Sequence, residues 1–87
     1  GNWTALSHHF QPDKAGNVVV GKFESLNSYD CIVFSGAPDH LLCAIDMNDA
    51  VIVHTPDVTL FCPKNSTPKI KEFLAMLAGK PEMKIHF

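Results

Sequence analysis

The sequence predicts a small, mainly β domain closed by one amphipathic helix. Three observations predict it. Short apolar runs rich in β-branched and aromatic residues recur with turn signals about every 8–12 residues, the rhythm of an all-β fold. Several of these runs are apolar almost throughout rather than alternating, as in a sheet buried on both faces or a compact, irregular β-solenoid. A stripe of apolar residues at helical spacing then follows the last run, with stop signals beyond it.

The first ten residues read as a short helix. Asn2 is its N-cap, and Trp3, Leu6 and Phe10 fall at i, i+3 and i+7 on one face. So short a helix is not stable alone, and its apolar face needs either the domain's own core or a neighbouring domain. The segment 11–17, with Pro12 and Gly16, is a loop by composition. The β region opens with Val18, Val19 and Val20 ahead of Gly21. Runs at 28–34, 41–45, 50–54 and 58–62 follow, separated by turns at 35–39, 46–49 and 55–57. That makes about five strands.

The helix over 67–78 is the best-marked element. Thr67 is its expected N-cap, and Pro68 occupies the first helical position, where a missing N–H costs nothing. Ile70, Phe73, Leu74 and Leu77 form one apolar stripe, predicted to pack on the sheet or the end of the solenoid. Gly79 stands where a left-handed C-terminal cap is wanted, and Pro81 prevents continuation. The tail to residue 87 carries Ile85 and Phe87, suited to an edge strand or a contact patch.

Composition excludes several functions. The chain has 87 residues, a formal net charge of −2 and only 18% charged residues, so it carries no electrostatic footprint for nucleic acid. No apolar run approaches the roughly 18 residues of a membrane span. A chain this apolar and this weakly charged is not disordered. Folding a 9.6 kDa chain buries about 63% of its surface, enough for one modest core without a large substrate cleft.

The residues that carry chemistry do not assemble into a motif. Cys31, Cys43 and Cys62 lie far apart inside apolar runs, with no CxxC pair, and read as reduced core thiols of a cytoplasmic protein. His8 and His9 are adjacent and so face apart on a helix; His40, His54 and His86 are isolated. The five glycines are scattered singly, so there is no phosphate-cradling loop, and Ser7-His8 has no triad frame. Asp46 and Asp49 begin like a calcium loop but lack its glycine and distal glutamate, and they read as solvated turn formers. No catalytic, cofactor-binding or metal-binding residue is therefore assigned. Two non-enzymatic readings remain open. One is small-molecule binding by His54, Asp57 and the turn around Asp46; the other is self-association through apolar ends at Trp3 and Phe87.

Laid end to end, the segments resemble one family. Gly1 to Leu6, Gly16 to Gly21, Asp30 to Val33, Ala44 to Leu60 with its Thr55-Pro56-Asp57 turn, and Lys69-Ile70-Lys71 are similar, in order and spacing, to the mannose-1-phosphate guanylyltransferases (GDP-mannose pyrophosphorylases). The likeness covers roughly residues 1–78 and falls in the family's C-terminal part. It implies a small left-handed β-helix over 17–87, preceded at 1–16 by a junction helix and linker from an N-terminal catalytic domain. Trp3, Leu6 and Phe10 would then be domain-junction contacts. The family's catalytic domain binds GTP and magnesium and joins mannose 1-phosphate to GTP, releasing pyrophosphate and forming GDP-mannose. None of its catalytic motifs stands in this sequence, and the metal-binding aspartate ahead of the family's Gly-x-Trp would precede Gly1. The implied partners are that catalytic domain and, through subunit contacts, further copies in a homo-oligomer. His54 replaces a frequent acidic residue, and Cys43-Ala44-Ile45 replaces a Val/Gly-rich strand, which leaves the sugar open.

Overall fold

The computed structural model describes residues 10–82. Six strands run in order: β1 Val18–Val20, β2 Lys22–Leu26, β3 Ile32–Ser35, β4 Leu41–Ile45, β5 Ala50–His54 and β6 Thr59–Pro63. A 3₁₀ turn, Lys64–Ser66, leads into helix α1, Pro68–Ala78. The strands form two sheets. One has the order β1-β3-β5-β6 and the other pairs β2 with β4. All pairings are parallel except the closing β5–β6 hairpin.

From β1 to β5 successive strands alternate between the two sheets, so the chain winds as a coil, the β-helix of the two expected arrangements, and β6 then folds back on β5. Lys22 pairs with Leu41, Tyr29 with Asn48 and Ile32 with Val51, so equivalent positions on these coils lie 19 residues apart. The preceding coil is shorter, placing Val18 on Ile32 and Asn17 on Cys31, 14 residues apart. The difference is a longer connection at 36–40, at a corner that Gly21 turns alone with φ +107°. A side chain at Gly21 would collide with Ser35 of the next coil.

The opposite corners carry the left-handed residues. Asn27, Asp30, Asp46 and Asp49 have φ between 51° and 58°. Asn27 stacks over Asp46 and Asp30 over Asp49, following the strand register. Short polar side chains tolerate this conformation because they bond locally to nearby groups. Gly16, at φ 79°, stands at the same corner one coil earlier.

The central strands of the four-stranded sheet, β3 and β5, are buried on both faces. Cys31, Val33 and Ala50 fill the coil interior with Val19, Phe23, Leu42 and Ile52 packed against them. Ile32, Val51 and Val53 form a second cluster with Phe34, Leu60 and Cys62. These strands point neighbouring residues to opposite faces, so two buried faces require the continuous apolar runs seen in the sequence.

Several expectations are corrected. Residues 22–26 form a strand that their composition hides: Lys22, Glu24, Ser25 and Leu26 are exposed, and of the five only Phe23 packs on the core. The run 28–34 is a strand only from Ile32, because Ser28 to Asp30 make the corner and Cys31 leads out of it. Thr67 is itself helical (φ −56°, ψ −33°) and makes no capping bond with its side chain, since the 3₁₀ turn already leads into the helix. Gly79 is right-handed at φ −77°, and its N–H bonds back to Met76 as the helix tightens.

The helix stripe is only partly packed. Ile70 is buried and Leu74 and Leu77 are half-buried, but Phe73 is 44% exposed. Burial is deepest at Ile70 in the first turn, and Phe73 and Met76 are left with exposed surface. The proposed junction contacts Trp3 and Leu6, and the tail residues Ile85 and Phe87, lie outside the described residues; Phe10 is exposed.

Candidate functional site

Three places could support a function: the corner bearing His54, the corner bearing Asp46 and Asp49, and the outer face of β2 and β4.

His54 closes β5. Its Nδ1 lies 2.8 Å from Thr59 Oγ1 across the hairpin, and its ring stacks on His40 with centroids 4.1 Å apart and planes 12° from parallel. The longer connection at 36–40 delivers His40 to this position. The lone pairs of ring nitrogens lie in the ring planes, and two near-parallel planes do not converge on one point, so the pair does not form a chelate.

The opposite corner is a network of turn bonds. The Asn27 side-chain amide donates to Asp46 Oδ1 at 2.7 Å, and Ser28 Oγ accepts from the Met47 N–H at 3.1 Å. Asp49 approaches Lys64 Nζ at 4.0 Å in a shallow cleft that also includes Asn48, Pro63 and Asn65. Such an exposed, loose ion pair contributes little to stability. The residues proposed together for small-molecule binding are separated: Asp46 precedes β5, whereas His54 is the last of its five residues, which rise about 3.3 Å each, and Asp57 lies beyond it. Among the described residues, no three His, Cys, Asp or Glu side chains group to hold a metal ion.

Beneath these corners lies an anchor that sequence reasoning missed. Asn17 is 1% exposed, donates from its side-chain amide to Ser28 O at 3.1 Å and accepts from the Cys31 N–H at 2.8 Å. Asp13 Oδ1 in turn accepts from the N–H groups of Ala15 and Asn17, both at 2.9 Å. The signal was the string of turn formers from Asp13 to Asn17, which reads as a loop until its side chains have partners.

Cys31 and Cys62 pack in the core as expected, whereas Cys43 points outward from β4, which corrects the reading of three core thiols. Cys31 is fully buried, with Sγ 3.5 Å from Tyr29 O and 3.6 Å from Met47 O. Burial pushes the half-buried Cys62 thiol up from its ordinary value. Cys43 is exposed, and all three are free. None has the electropositive surroundings of a nucleophile.

The third place is apolar. Leu41, Cys43 and Ile45 of β4, with Leu26 of β2, are exposed on the two-stranded sheet; Leu26 and Ile45, register partners, are 66% and 65% exposed. Phe23 and Leu42 point the other way into the core. With Lys22 and Glu24 beside Leu41 and Cys43, this arrangement supplies a largely apolar contact surface that bears one exposed thiol.

Comparison with known proteins identifies the family of this fold. Residues 16–77 match the model of the MannoseP isomerase/GMP-like beta-helix domain family. The chain is 31% identical over 80 residues to a putative mannose-1-phosphate guanylyltransferase of Vibrio cholerae serotype O1, covering 92% of this chain and 17% of that protein. It is 33% identical over 91 residues to a mannose-1-phosphate guanylyltransferase of Escherichia coli, covering 99% of this chain and 18% of that one. A crystal structure described as mannose-1-phosphate geranyltransferase from Thermus thermophilus superimposes with a TM-score of 0.75 at 26% identity, covering 90% of this chain and 23% of the other. The chain thus spans less than a fifth of the length of these two curated relatives.

Proposed function

The chain belongs to the MannoseP isomerase/GMP-like beta-helix domain family, and from that membership we propose that it is the non-catalytic assembly module of a mannose-1-phosphate guanylyltransferase. In this reading a separate nucleotidyltransferase domain binds GTP and magnesium, forms GDP-mannose from mannose 1-phosphate and releases pyrophosphate. The module docks on that domain and contributes subunit contacts. Free thiols suit the reducing cytoplasm in which such an enzyme would work. Among the described residues, no helix is long and apolar enough to cross a membrane.

The observation that carries this reading is the exposed face formed by Leu26, Leu41, Cys43 and Ile45, on a fold whose polar corners serve its own turns. The residues present do not fit GTP or magnesium. Gly16 and Gly21 each accommodate an adjacent coil rather than opening a phosphate cradle, and the acidic corner residues are spent on turn geometry. No chemical step is therefore assigned to this chain.

The test is direct. Incubated with GTP, magnesium and mannose 1-phosphate, the chain is expected to release no pyrophosphate above a protein-free control. Steady turnover that survives repurification would overturn the reading.

A further inference from the structure

We propose that the cleft between the Asn48–Asp49 corner and the Pro63–Asn65 turn binds one pyranose ring of a neutral carbohydrate. Such binding neither requires nor excludes the assembly role.

Backbone hydrogen bonds hold the walls of the cleft in place. The Asp49 N–H donates to Tyr29 O of the preceding coil at 3.1 Å, and the Lys64 N–H donates to Asp49 O at 2.6 Å, tying one wall to the other. Ala50 and Pro63, next in line, are register partners in the β5–β6 hairpin. The cleft measures about 480 Å³, within the roughly 300–1,000 Å³ of small-ligand sites. A site fixed before binding loses little freedom when it is filled.

Its polar groups suit hydroxyls. The left-handed backbone of Asp49 serves the turn, which leaves its carboxylate to solvent, with the side chain 72% exposed. Lys64 Nζ stands 4.0 Å from Asp49 Oδ1, beyond hydrogen-bonding distance. A hydroxyl oxygen about 2.8 Å from each fits between them, accepting from the ammonium and donating to the carboxylate. Asn48 and Asn65 line the same cleft, and their side-chain amides bond to no other described residue. Each offers a donor and an acceptor to a neighbouring hydroxyl.

Charge decides between sugar and phosphate. One ammonium faces one carboxylate, so the cleft is neutral, and a phosphate there would be repelled by Asp49 as much as it is drawn by Lys64. Pro63 supplies an apolar wall. Phe61, two residues earlier on β6, lies on the same face of the strand and is 72% exposed. A pyranose presents hydroxyls at its rim and C–H groups on its faces, which matches a few convergent polar groups beside an apolar surface.

Titrating the isotope-labelled 87-residue chain with methyl α-D-mannopyranoside, and following amide chemical shifts, tests the site. Saturable shifts are expected at Asn48, Asp49, Lys64 and Asn65, side-chain amides included, with a Kd in the millimolar range. Asp49→Asn keeps a residue that tolerates the left-handed turn but removes the charged acceptor. It should weaken glycoside binding about tenfold, while inorganic phosphate, now facing an unopposed Lys64, begins to bind. Phe61→Ala should weaken the glycoside about fivefold and leave phosphate without effect. A wild-type chain with no saturable shift at about 100 mM glycoside overturns the site, as does phosphate binding to the wild type as tightly as the glycoside. Glycoside shifts that Asp49→Asn leaves unchanged also overturn it. If Asp49→Asn disturbs the coils before any ligand is added, Lys64→Met decides: it should weaken the glycoside about tenfold, and undiminished binding overturns the site. None of these outcomes bears on pyrophosphate release, which tests the assembly reading separately.

Discussion

Asn27 and Asp46 occupy the same corner of successive coils, both left-handed, and are joined by a 2.7 Å hydrogen bond from the Asn27 amide to Asp46 Oδ1. Conformation and bond are separable by mutation. Asn27→Ala meets the left-handed penalty and loses the bond, and is expected to cost about 1–2 kcal/mol. Asn27→Gly restores the backbone freedom and should recover most of that loss, because the bond is solvent-exposed. Urea denaturation of both variants checks the order.

Asn17 is the more sensitive position. Asn17→Ala leaves the buried Cys31 N–H and the Ser28 carbonyl without their partner and is expected to cost about 2–3 kcal/mol by urea denaturation. Asn17→Asp keeps the acceptor for Cys31 but turns a carboxylate oxygen toward the Ser28 carbonyl. It should therefore remain destabilised at neutral pH.

The helix should respond unevenly along its stripe. Ile70→Ala removes a buried side chain and is expected to cost about 2–4 kcal/mol, whereas Phe73→Ala should change stability by less than about 0.5 kcal/mol. Gly79→Ala should be neutral or slightly stabilising, since φ is −77° and no neighbouring atom is crowded below 3.4 Å. A loss above about 1 kcal/mol at Gly79 would point to a left-handed cap. Thermal melts of the three variants distinguish these outcomes.

Thiol chemistry should rank by exposure and by proton affinity. Cys43 should react first with a disulfide reagent, Cys62 more slowly and Cys31 only on unfolding. Burial holds the Cys62 proton in the folded state, so the folded chain binds more protons than the unfolded one above the ordinary thiol value of about 8.5. Its contribution to stability is complete below that pH and declines as pH rises through the folded value. Melts of wild type and Cys62→Ser across this range should diverge with pH in that direction.

Much of the architecture is legible before any coordinates. Turn signals placed β3 to β6, and the continuous apolar runs reflect a sheet buried on two faces. The coil repeat is harder to see because 14- and 19-residue spacings follow each other, and of the corner residues only Asp30 and Asp49 are identical. β2 escapes notice because an outer face tolerates Lys22 and Glu24 while one inward Phe23 holds it to the core. The helix reads correctly as a helix but not as a packed one. Periodicity reports an apolar face without reporting whether a partner surface extends far enough to cover it, as Phe73 illustrates. Asn17 carries no periodic signal, since its role depends on a bond to Cys31 in the next coil.

The central claim, that this β-helix serves assembly rather than chemistry, is tested most directly by deleting the matching segment from the Escherichia coli mannose-1-phosphate guanylyltransferase. Melting temperature, sedimentation and kcat would be measured on the same preparation. The account predicts a lower Tm or a changed oligomeric state, with kcat per folded active site retained to within about tenfold, roughly 1.4 kcal/mol of barrier. An enzyme that melts and sediments like its parent but loses turnover by orders of magnitude would contradict it.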